Sequence, residues 1–285
     1  MSILEAIILG LIQGLTEFLP ISSTAHLTLA GRWMNLVDPQ HPDQWTAFIA
    51  VIQLGTLIAV ILYFWTDILK IITGFIAANL ARFTGRRADP SQQQYATLGW
   101  LIIIGTLPVA IVGLLFRHQI EGMLTKDLRV IAGSLIGLAV LLTIAEIVGT
   151  QRRDMRNLRA SDAIIVGGFQ VLALIPGSSR SGSTITGGLF SGLKRETAAR
   201  FSFLLSIPAV AASGLLQLPK ALQSINTGWA AIVVATLVSG ISGYLSIAFL
   251  IRYLQRHTTY LFVVYRIALG LLLIWLLVSG RVLPT

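Results

Sequence analysis

The sequence predicts an all-α polytopic membrane protein that forms a single membrane domain, residues 1–285. Of its 285 residues, 55% are hydrophobic and only 12% are charged, about half the charged share of a typical soluble domain. The mean hydropathy is +0.79, because several apolar runs reach the roughly 20 residues that an α-helix needs to cross a bilayer. The basic residues lie mainly in the short loops between these runs.

The first apolar stretch, Ile3–Trp33, is interrupted by a polar segment that runs from Thr16 to His26 and contains Pro20. The pattern is that of an apolar helix, a polar break and a second helix. Irregular backbone at membrane depth is tolerated only where it is buried in protein or lines a watery cavity. We therefore predict a re-entrant helix–loop–helix hairpin.

Full spans and a second hairpin follow along the chain. The first three predicted spans are Trp45–Trp65, Thr97–Phe116 and Arg129–Gly149. The stretch Asp162–Leu193 is then broken at Pro176–Thr184, which predicts a second re-entrant hairpin. The last three predicted spans are Phe201–Leu218, Trp229–Ile251 and Tyr260–Val278. Several of the six have Trp or Tyr at an end, as is typical of membrane interfaces.

Loop charges predict the orientation. The loop Ala81–Gln94 carries three Arg against one Asp, and Thr150–Asp162 carries four Arg against two Asp. Two predicted spans separate these loops, so they share one side, and the positive-inside rule makes it cytoplasmic. Asn35–Gln44 has no Lys or Arg and falls outside, as do both termini. The same rule accounts for the net charge of +9 better than a nucleic-acid partner, which we do not expect.

The chain also has the pattern of an internal repeat. Pro20–Ser23 in the first hairpin matches Pro176–Ser179 in the second, since each segment has Pro followed by Ser at the second and third positions. Gln13 and Gln170 precede these prolines by similar distances.

Three spans follow each hairpin, and an odd number requires the second copy to be inverted. We predict one repeat at about 1–150 and the other at about 160–285. Inverted repeats with broken helices that meet near the midplane are best known from transporters.

The end of the first helix and the start of the first break carry groups suited to a cation. Gln13 and Glu17 are four residues apart and share a helix face. A carboxylate with a neighbouring amide oxygen can hold a hard cation, Mg²⁺ or Ca²⁺. The alternative is a buried polar pair that joins helices by hydrogen bonds.

Hydroxyls follow Pro20, where a new helix would begin. Ser22, Ser23 and Thr24 are ordinary N-cap residues, but a helix N-terminus also binds phosphate through its free amides. His26 lies one turn further on. It is a candidate general acid/base or nucleophile, although a lone His is more often structural.

The second break centres on Arg180. Its neighbours carry hydroxyls, among them Ser179, Ser181 and Thr184, and an Arg surrounded by hydroxyls before a helix suits an anionic phosphate. A snorkelling Arg is the alternative, but the centre of a hairpin is an unsuitable position for one. Glu146 and Arg266, the remaining charges within spans, receive no role from the sequence.

At these residues the chain resembles the undecaprenyl-pyrophosphate phosphatases of the bacitracin-resistance type. That family carries Glu or Gln, three residues and Glu, which matches Gln13–Glu17, and it carries Pro-Gly-x-Ser-Arg-Ser-x-x-Thr, which matches Pro176–Thr184 without a mismatch. The resemblance covers the whole chain in segment order. Ala25 departs from the Gly that the family often has before His26.

The resemblance implies hydrolysis of undecaprenyl diphosphate to the monophosphate, which recycles a lipid carrier for cell-wall synthesis. It implies a polyprenyl diphosphate substrate among membrane lipids, a divalent cation, and a site that opens to the extracytoplasmic side of the bacterial inner membrane. The resemblance does not fix the oligomeric state, and it is compatible with a homodimer. A lipid-phosphate transporter or flippase is the alternative function, which phosphate release by purified protein in detergent would separate from an enzyme.

From the residues and the resemblance together we expect three sets of site residues. The catalytic set is Glu17, Ser23, His26 and Arg180. The phosphate-binding set is Ser22, Ser179, Arg180, Ser181 and Thr184. The cation ligands are Gln13 and Glu17. We expect Ser23 to attack with His26 as its acid/base partner, while direct attack by His26 or by water remains an alternative.

Overall fold

The computed structural model describes residues 1–38, 40–85, 87–121, 127–223 and 228–284, and these are helical with no strand beyond one isolated bridge. The helices, in chain order, are α1 (Ile3–Glu17), α2 (Ser23–Trp33), α3 (Pro42–Tyr63), α4 (Trp65–Phe83), α5 (Pro90–Leu115), α6 (Arg117–Glu121), α7 (Leu128–Val148), α8 (Ala160–Leu172), α9 (Arg180–Phe190), α10 (Arg195–Gln223), α11 (Trp229–Leu254) and α12 (Tyr260–Val278).

Six of the described helices are long and apolar enough to cross a membrane: α3, α5, α7, α10, α11 and α12. Each of the six predicted spans coincides with one of these helices, although the first three predicted spans extend one or two residues past the C-terminal end of the helix. Their outward faces carry large exposed hydrophobic side chains, which in an all-helical protein of this hydropathy indicates contact with lipid. The chain is a multi-pass membrane protein, as predicted.

Helix α4 was not predicted. It carries Asp67, Lys70 and Arg82 within 19 residues. These charged residues lower the mean hydropathy of an otherwise apolar helix, so hydropathy alone does not predict it. It packs along α5, where the rings of Phe75 and Trp100 lie 5.1 Å apart. Since α4 ends at Phe83 and α5 begins at Pro90, the loop predicted as Ala81–Gln94 is shorter than expected.

Small residues let the helices of each broken stretch approach a span closely. A Cβ added to Gly10 on α1 would meet the carbonyl oxygen of Ala235 on α11, and one added to Gly167 on α8 would meet the carbonyl oxygen of Gly105 on α5. Such backbone contacts are typical of helix packing in membranes. Thus α1 packs against a span near the C-terminus, and α8 packs against a span from the first half.

Both breaks end in the same unusual backbone conformation. Ser22 caps α2 at a φ of 77° and Ser179 caps α9 at a φ of 65°, a left-handed region that residues other than Gly seldom adopt. Each Ser hydroxyl accepts a hydrogen bond from an amide three residues later, at 3.3 Å from Ala25 and 3.1 Å from Gly182. The first helical turn is thereby capped in both hairpins.

This match in capping geometry differs by one residue from the alignment that the sequence predicts for the repeat. Aligning Pro20 with Pro176 pairs Ser22 with Ser178, whereas the capping geometry pairs Ser22 with Ser179. The second register is 157 residues, and it also relates the starts of α1 and α8 (3 and 160) and of α2 and α9 (23 and 180).

An ion pair with a buried carboxylate joins the helix ends on the predicted cytoplasmic side. Glu146 of α7 accepts hydrogen bonds from Arg195 Nε at 2.6 Å and from Thr259 Oγ1 at 2.8 Å. These contacts connect α7 with α10 and with the residue that precedes α12. Glu146, for which the sequence suggested no role, therefore stabilises the packing of three spans.

Candidate active site

The two breaks meet at Glu17. One carboxylate oxygen of Glu17 pairs with the guanidinium of Arg180, which is 163 residues away in sequence. The other accepts hydrogen bonds from Ser23 Oγ at 2.7 Å and from Gln13 Nε2 at 2.8 Å. The structure thus brings together Gln13, Glu17, Ser23 and Arg180, four of the residues that the sequence singled out.

The ion pair is largely shielded from the surroundings, since the Arg180 side chain is 16% exposed and the Glu17 side chain 6%. Arg180 is the first residue of α9 and Ser23 the first residue of α2. Both therefore stand at helix N-termini, where unpaired amides and the helix dipole favour an anion.

Two further hydroxyls of the second break, those of Ser181 and Thr184, make hydrogen bonds within the protein. Ser181 Oγ donates to the carbonyl of Leu19 at 3.0 Å and lies 3.1 Å from Ser179 Oγ. Thr184 is fully buried, and its hydroxyl contacts the carbonyl of Arg180 at 2.7 Å and the hydroxyl of Ser202. Thus Ser181 joins the two breaks, and Thr184 is hydrogen-bonded to the first residue of α9.

His26 is engaged at both ring nitrogens. Its Nδ1 lies 2.7 Å from the carbonyl of Ser22, so this nitrogen carries a proton and donates it. Its Nε2 lies 2.6 Å from the hydroxyl of Tyr265, and the two rings stack with centroids 5.6 Å apart. Ser23 contacts Glu17 instead, so the Ser23–His26 pairing expected from the sequence is not the arrangement found.

Arg266 of α12 holds both breaks in place. Its side chain is fully buried, and its guanidinium donates to backbone carbonyls only. The acceptors, at 3.0 to 3.3 Å, are the carbonyls of Pro20 in the first break, Gly177 and Ser178 in the second, and Ser134 and Leu135 on α7. Arginine suits this position because its planar group carries five donors in a fixed geometry.

A cavity of about 530 Å³ opens beside the ion pair. Its polar wall includes Glu17, Ser23, Thr24, Ser179 and Arg180. The rest of the wall comes mostly from apolar side chains of α3, α5 and α10. A cavity with a few converging polar groups and a mainly apolar wall is the usual form of a site for an amphiphilic ligand.

The residues beside the cavity fit a hard cation shared with a phosphate ligand. Glu17 is the one carboxylate on the described wall, and Gln13 Oε1 is buried without a hydrogen-bond partner among the described residues. No group of three or more His, Cys, Asp or Glu that could hold a metal occurs in the described part of the chain. Mg²⁺ is commonly held by one or two carboxylates together with substrate phosphates, which agrees with this donor set.

Comparison with known proteins decides the family. Residues 6–272 match the family described as bacitracin resistance protein BacA. The chain belongs to the BacA family. Proteins named undecaprenyl-diphosphatase from Syntrophobacter fumaroxidans and Chlorobium phaeovibrioides are 54% and 48% identical to it, over 97% and 100% of this chain and 98% and 100% of theirs. Another with that name, from Myxococcus xanthus, is 49% identical over all of this chain and 92% of its own.

Two residues that contact the site of this BacA-family chain, Tyr265 and Arg266, were not predicted from the sequence to take part in it. Arg266 was noticed as a charge within a span, a signal that by default marks function, but its five carbonyl partners belong to distant segments. Tyr265 gave no signal, since an aromatic residue near the end of a span is common. Only the packing of α12 against both breaks reveals these two roles.

Proposed function

We propose that this chain is an undecaprenyl-diphosphatase, which hydrolyses undecaprenyl diphosphate to undecaprenyl phosphate and inorganic phosphate. The observation that carries the proposal is the Glu17–Arg180 pair with Ser23 hydrogen-bonded to the same carboxylate, on the wall of a cavity in a membrane protein. Full-length relatives with that name support it. The transporter alternative is not favoured, because a hydroxyl oriented by a carboxylate is unnecessary for moving a headgroup.

The cavity suits both parts of the substrate. Arg180 and the N-termini of α2 and α9 supply donors and positive potential for the diphosphate. The apolar wall from α3, α5 and α10 suits the prenyl tail. Binding of the diphosphate lets Arg180 share its guanidinium between Glu17 and phosphate oxygens, which leaves Glu17 Oε2 oriented on Ser23.

In the proposed chemistry, Ser23 Oγ attacks the terminal phosphorus, and its proton passes to Glu17 Oε2, 2.7 Å away. The bond from that phosphorus to the bridging oxygen breaks, and the leaving lipid phosphate takes the proton from Glu17. A water molecule then attacks the phosphoserine, Glu17 accepts its proton, and the proton returns to Ser23 Oγ as inorganic phosphate leaves. Arg180 stabilises the charge on the transferred group, as positioning and electrostatics dominate phosphoryl transfer.

Ser23 is favoured over His26 as the attacking group. Both nitrogens of His26 have partners, the carbonyl of Ser22 and the hydroxyl of Tyr265, whereas Ser23 is one of the residues that line the cavity. His26 holds the carbonyl that immediately precedes Ser23. We therefore assign His26 as a positioning residue that fixes the start of α2.

We also propose a divalent cation, Mg²⁺ or Ca²⁺, bound by Gln13 Oε1 and Glu17 together with diphosphate oxygens. Such an ion would offset charge on the diphosphate. The unpartnered oxygen of Gln13 supports this ligand set. Activity of the purified protein should fall on chelation and return with one of these ions.

We further propose that the two broken stretches are re-entrant hairpins of an inverted repeat, with the site open to the extracytoplasmic side of the inner membrane. The shared 157-residue register supports the repeat, as does the packing of each hairpin against a span of the other half. The positive loops support the orientation. A single Cys at Gln40 should react with an impermeant thiol reagent in intact cells, and one at Gln92 should not.

The function is tested with purified protein in detergent and undecaprenyl diphosphate. We expect release of one inorganic phosphate per molecule, with undecaprenyl phosphate as the lipid product. Detergent removes the two compartments, so a protein that only transports lipid would release no phosphate. That result would overturn the proposal.

A further inference from the structure

Gln170 is one of several polar side chains on the cavity wall that have no part in the site described above. Gln170, near the end of α8, lines the same cavity as Glu17, Ser23 and Arg180. It is fully buried, and neither its amide nitrogen nor its amide oxygen has a hydrogen-bond partner among the described residues. Buried polar groups are nearly always hydrogen-bonded, so an amide with both ends unpaired requires an explanation.

The repeat explains why Gln170 lacks a partner. It lies 157 residues after Gln13, the register that relates the starts of the helices in the two hairpins. Gln13 donates its amide N–H to Glu17, but the position equivalent to Glu17 is Leu174, which cannot accept a hydrogen bond. The second hairpin therefore keeps the glutamine without its internal acceptor.

We infer that Gln170 is a substrate-binding residue whose amide N–H groups donate to phosphate oxygens of the diphosphate. The inference rests on the proposed function. A side-chain amide offers two donors, and phosphate oxygens only accept, so a bound diphosphate satisfies the nitrogen. An apolar tail would leave both amide atoms unpaired, and a cation would satisfy only the oxygen.

The test replaces Gln170 with Met, which is similar in length and has no amide, and with Glu, which keeps the shape and adds a negative charge. Gln170→Met should lower kcat/KM roughly 10- to 100-fold, mostly through KM, as expected for a lost hydrogen bond to a charged group. Its Tm in detergent should not fall, because no hydrogen bond to protein is lost and Met fills a similar volume. Gln170→Glu should lower kcat/KM further than Gln170→Met does, since a carboxylate repels phosphate. Gln94→Met and Gln94→Glu, at an exposed glutamine of α5, are the matched controls.

Binding of a headgroup analogue provides a readout that does not depend on turnover. Methylenediphosphonate should raise the Tm of the unaltered protein, and Gln170→Met should lose most of that shift. Normal kcat/KM and a normal shift in Gln170→Met would overturn the inference, since water or protein would then satisfy the amide. Activity that falls only in step with Tm would make Gln170 structural.

The Glu variant separates phosphate from cation binding. If Gln170→Glu stays active and needs less Mg²⁺ than the unaltered protein, Gln170 is a cation ligand and the inference is wrong. Absence of phosphate release by the unaltered protein would instead refute the proposed function. In that case, the methylenediphosphonate shift still tests Gln170.

Discussion

The two hairpins share a backbone frame but differ in the chemistry that they carry. Both begin their second helix with a serine at positive φ that caps the first turn. In the common register, Ser23 of the first hairpin corresponds to Arg180 of the second, and Glu17 corresponds to Leu174. One hairpin thus supplies the carboxylate and the hydroxyl, and the other supplies the cationic side chain.

Under the proposed repeat, this difference shows how two copies of one scaffold can produce an asymmetric site. The break of each hairpin is here called its tip. Two identical tips would place like charges together, either two carboxylates or two guanidiniums, and the electrostatic free energy of this repulsion grows with burial. With one of each, the tips attract through the Glu17–Arg180 pair. Arg266 then binds carbonyls of both tips and keeps them together.

The largest expected effect follows from removing the hydroxyl that only the first hairpin has. Ser23→Ala should lower kcat by roughly 10³-fold or more, because the attacking group is lost. Thr24→Ala, at the adjacent hydroxyl on the cavity wall, should retain most activity. Phosphate release from undecaprenyl diphosphate in detergent measures both.

Rapid quench with substrate labelled in the terminal phosphate identifies the attacking group. We expect label on the protein that survives acid and is lost in base, as for phosphoserine. Label that is lost in acid, and is absent from His26→Ala, would move the role to His26. No trapped label would favour direct attack by water, which Ser23 and Glu17 would then position.

The next largest expected effect comes from the carboxylate, which we expect catalysis to require in the first hairpin only. Glu17→Gln should lower kcat roughly 10²- to 10⁴-fold, since the proton acceptor and the charge are both lost. Leu174→Gln places the same side chain at the equivalent position of the second hairpin and should have a small effect. Equal losses in the two variants, measured as phosphate release per folded protein, would contradict the division of roles between the hairpins.

The sequence predicted the spans and the polar breaks better than it predicted which side chains of the site contact each other. Six spans followed from hydropathy, and the tips followed from polar residues inside apolar stretches, since both signals are local. Ser23 and His26, three residues apart, share a helix face, which made them natural partners. The turn through Pro20 instead returns Ser23 to Glu17, and α12 brings Tyr265 to His26, and neither contact is encoded in local spacing.

A further effect concerns the residue that holds the two tips together. Arg266→Met should reduce the free energy of unfolding in detergent by about 2–5 kcal/mol, because carbonyls of both breaks lose their donor in a buried site. Activity should fall with it, since the Glu17–Arg180 pair depends on the position of the tips. Arg281→Met, which removes an exposed arginine stacked on Trp275 at 4.7 Å, is the control and should change stability little. Normal Tm and activity in Arg266→Met would show that the other contacts suffice.

The smallest effect tests the frame that the hairpins share. Ser22→Ala and Ser179→Ala each remove one N-cap hydrogen bond and keep a Cβ at positive φ, so each should cost about 1–2 kcal/mol of unfolding free energy. Ser22→Gly and Ser179→Gly lose the same hydrogen bond but relieve the backbone, since Gly adopts positive φ without a steric penalty. Each Gly variant should therefore be more stable than the matching Ala variant, by a similar margin at both tips. Chemical unfolding of the four variants in one detergent measures this margin. A margin present at one tip and absent at the other would mean that the caps are not equivalent, and it would remove the main support for the 157-residue register.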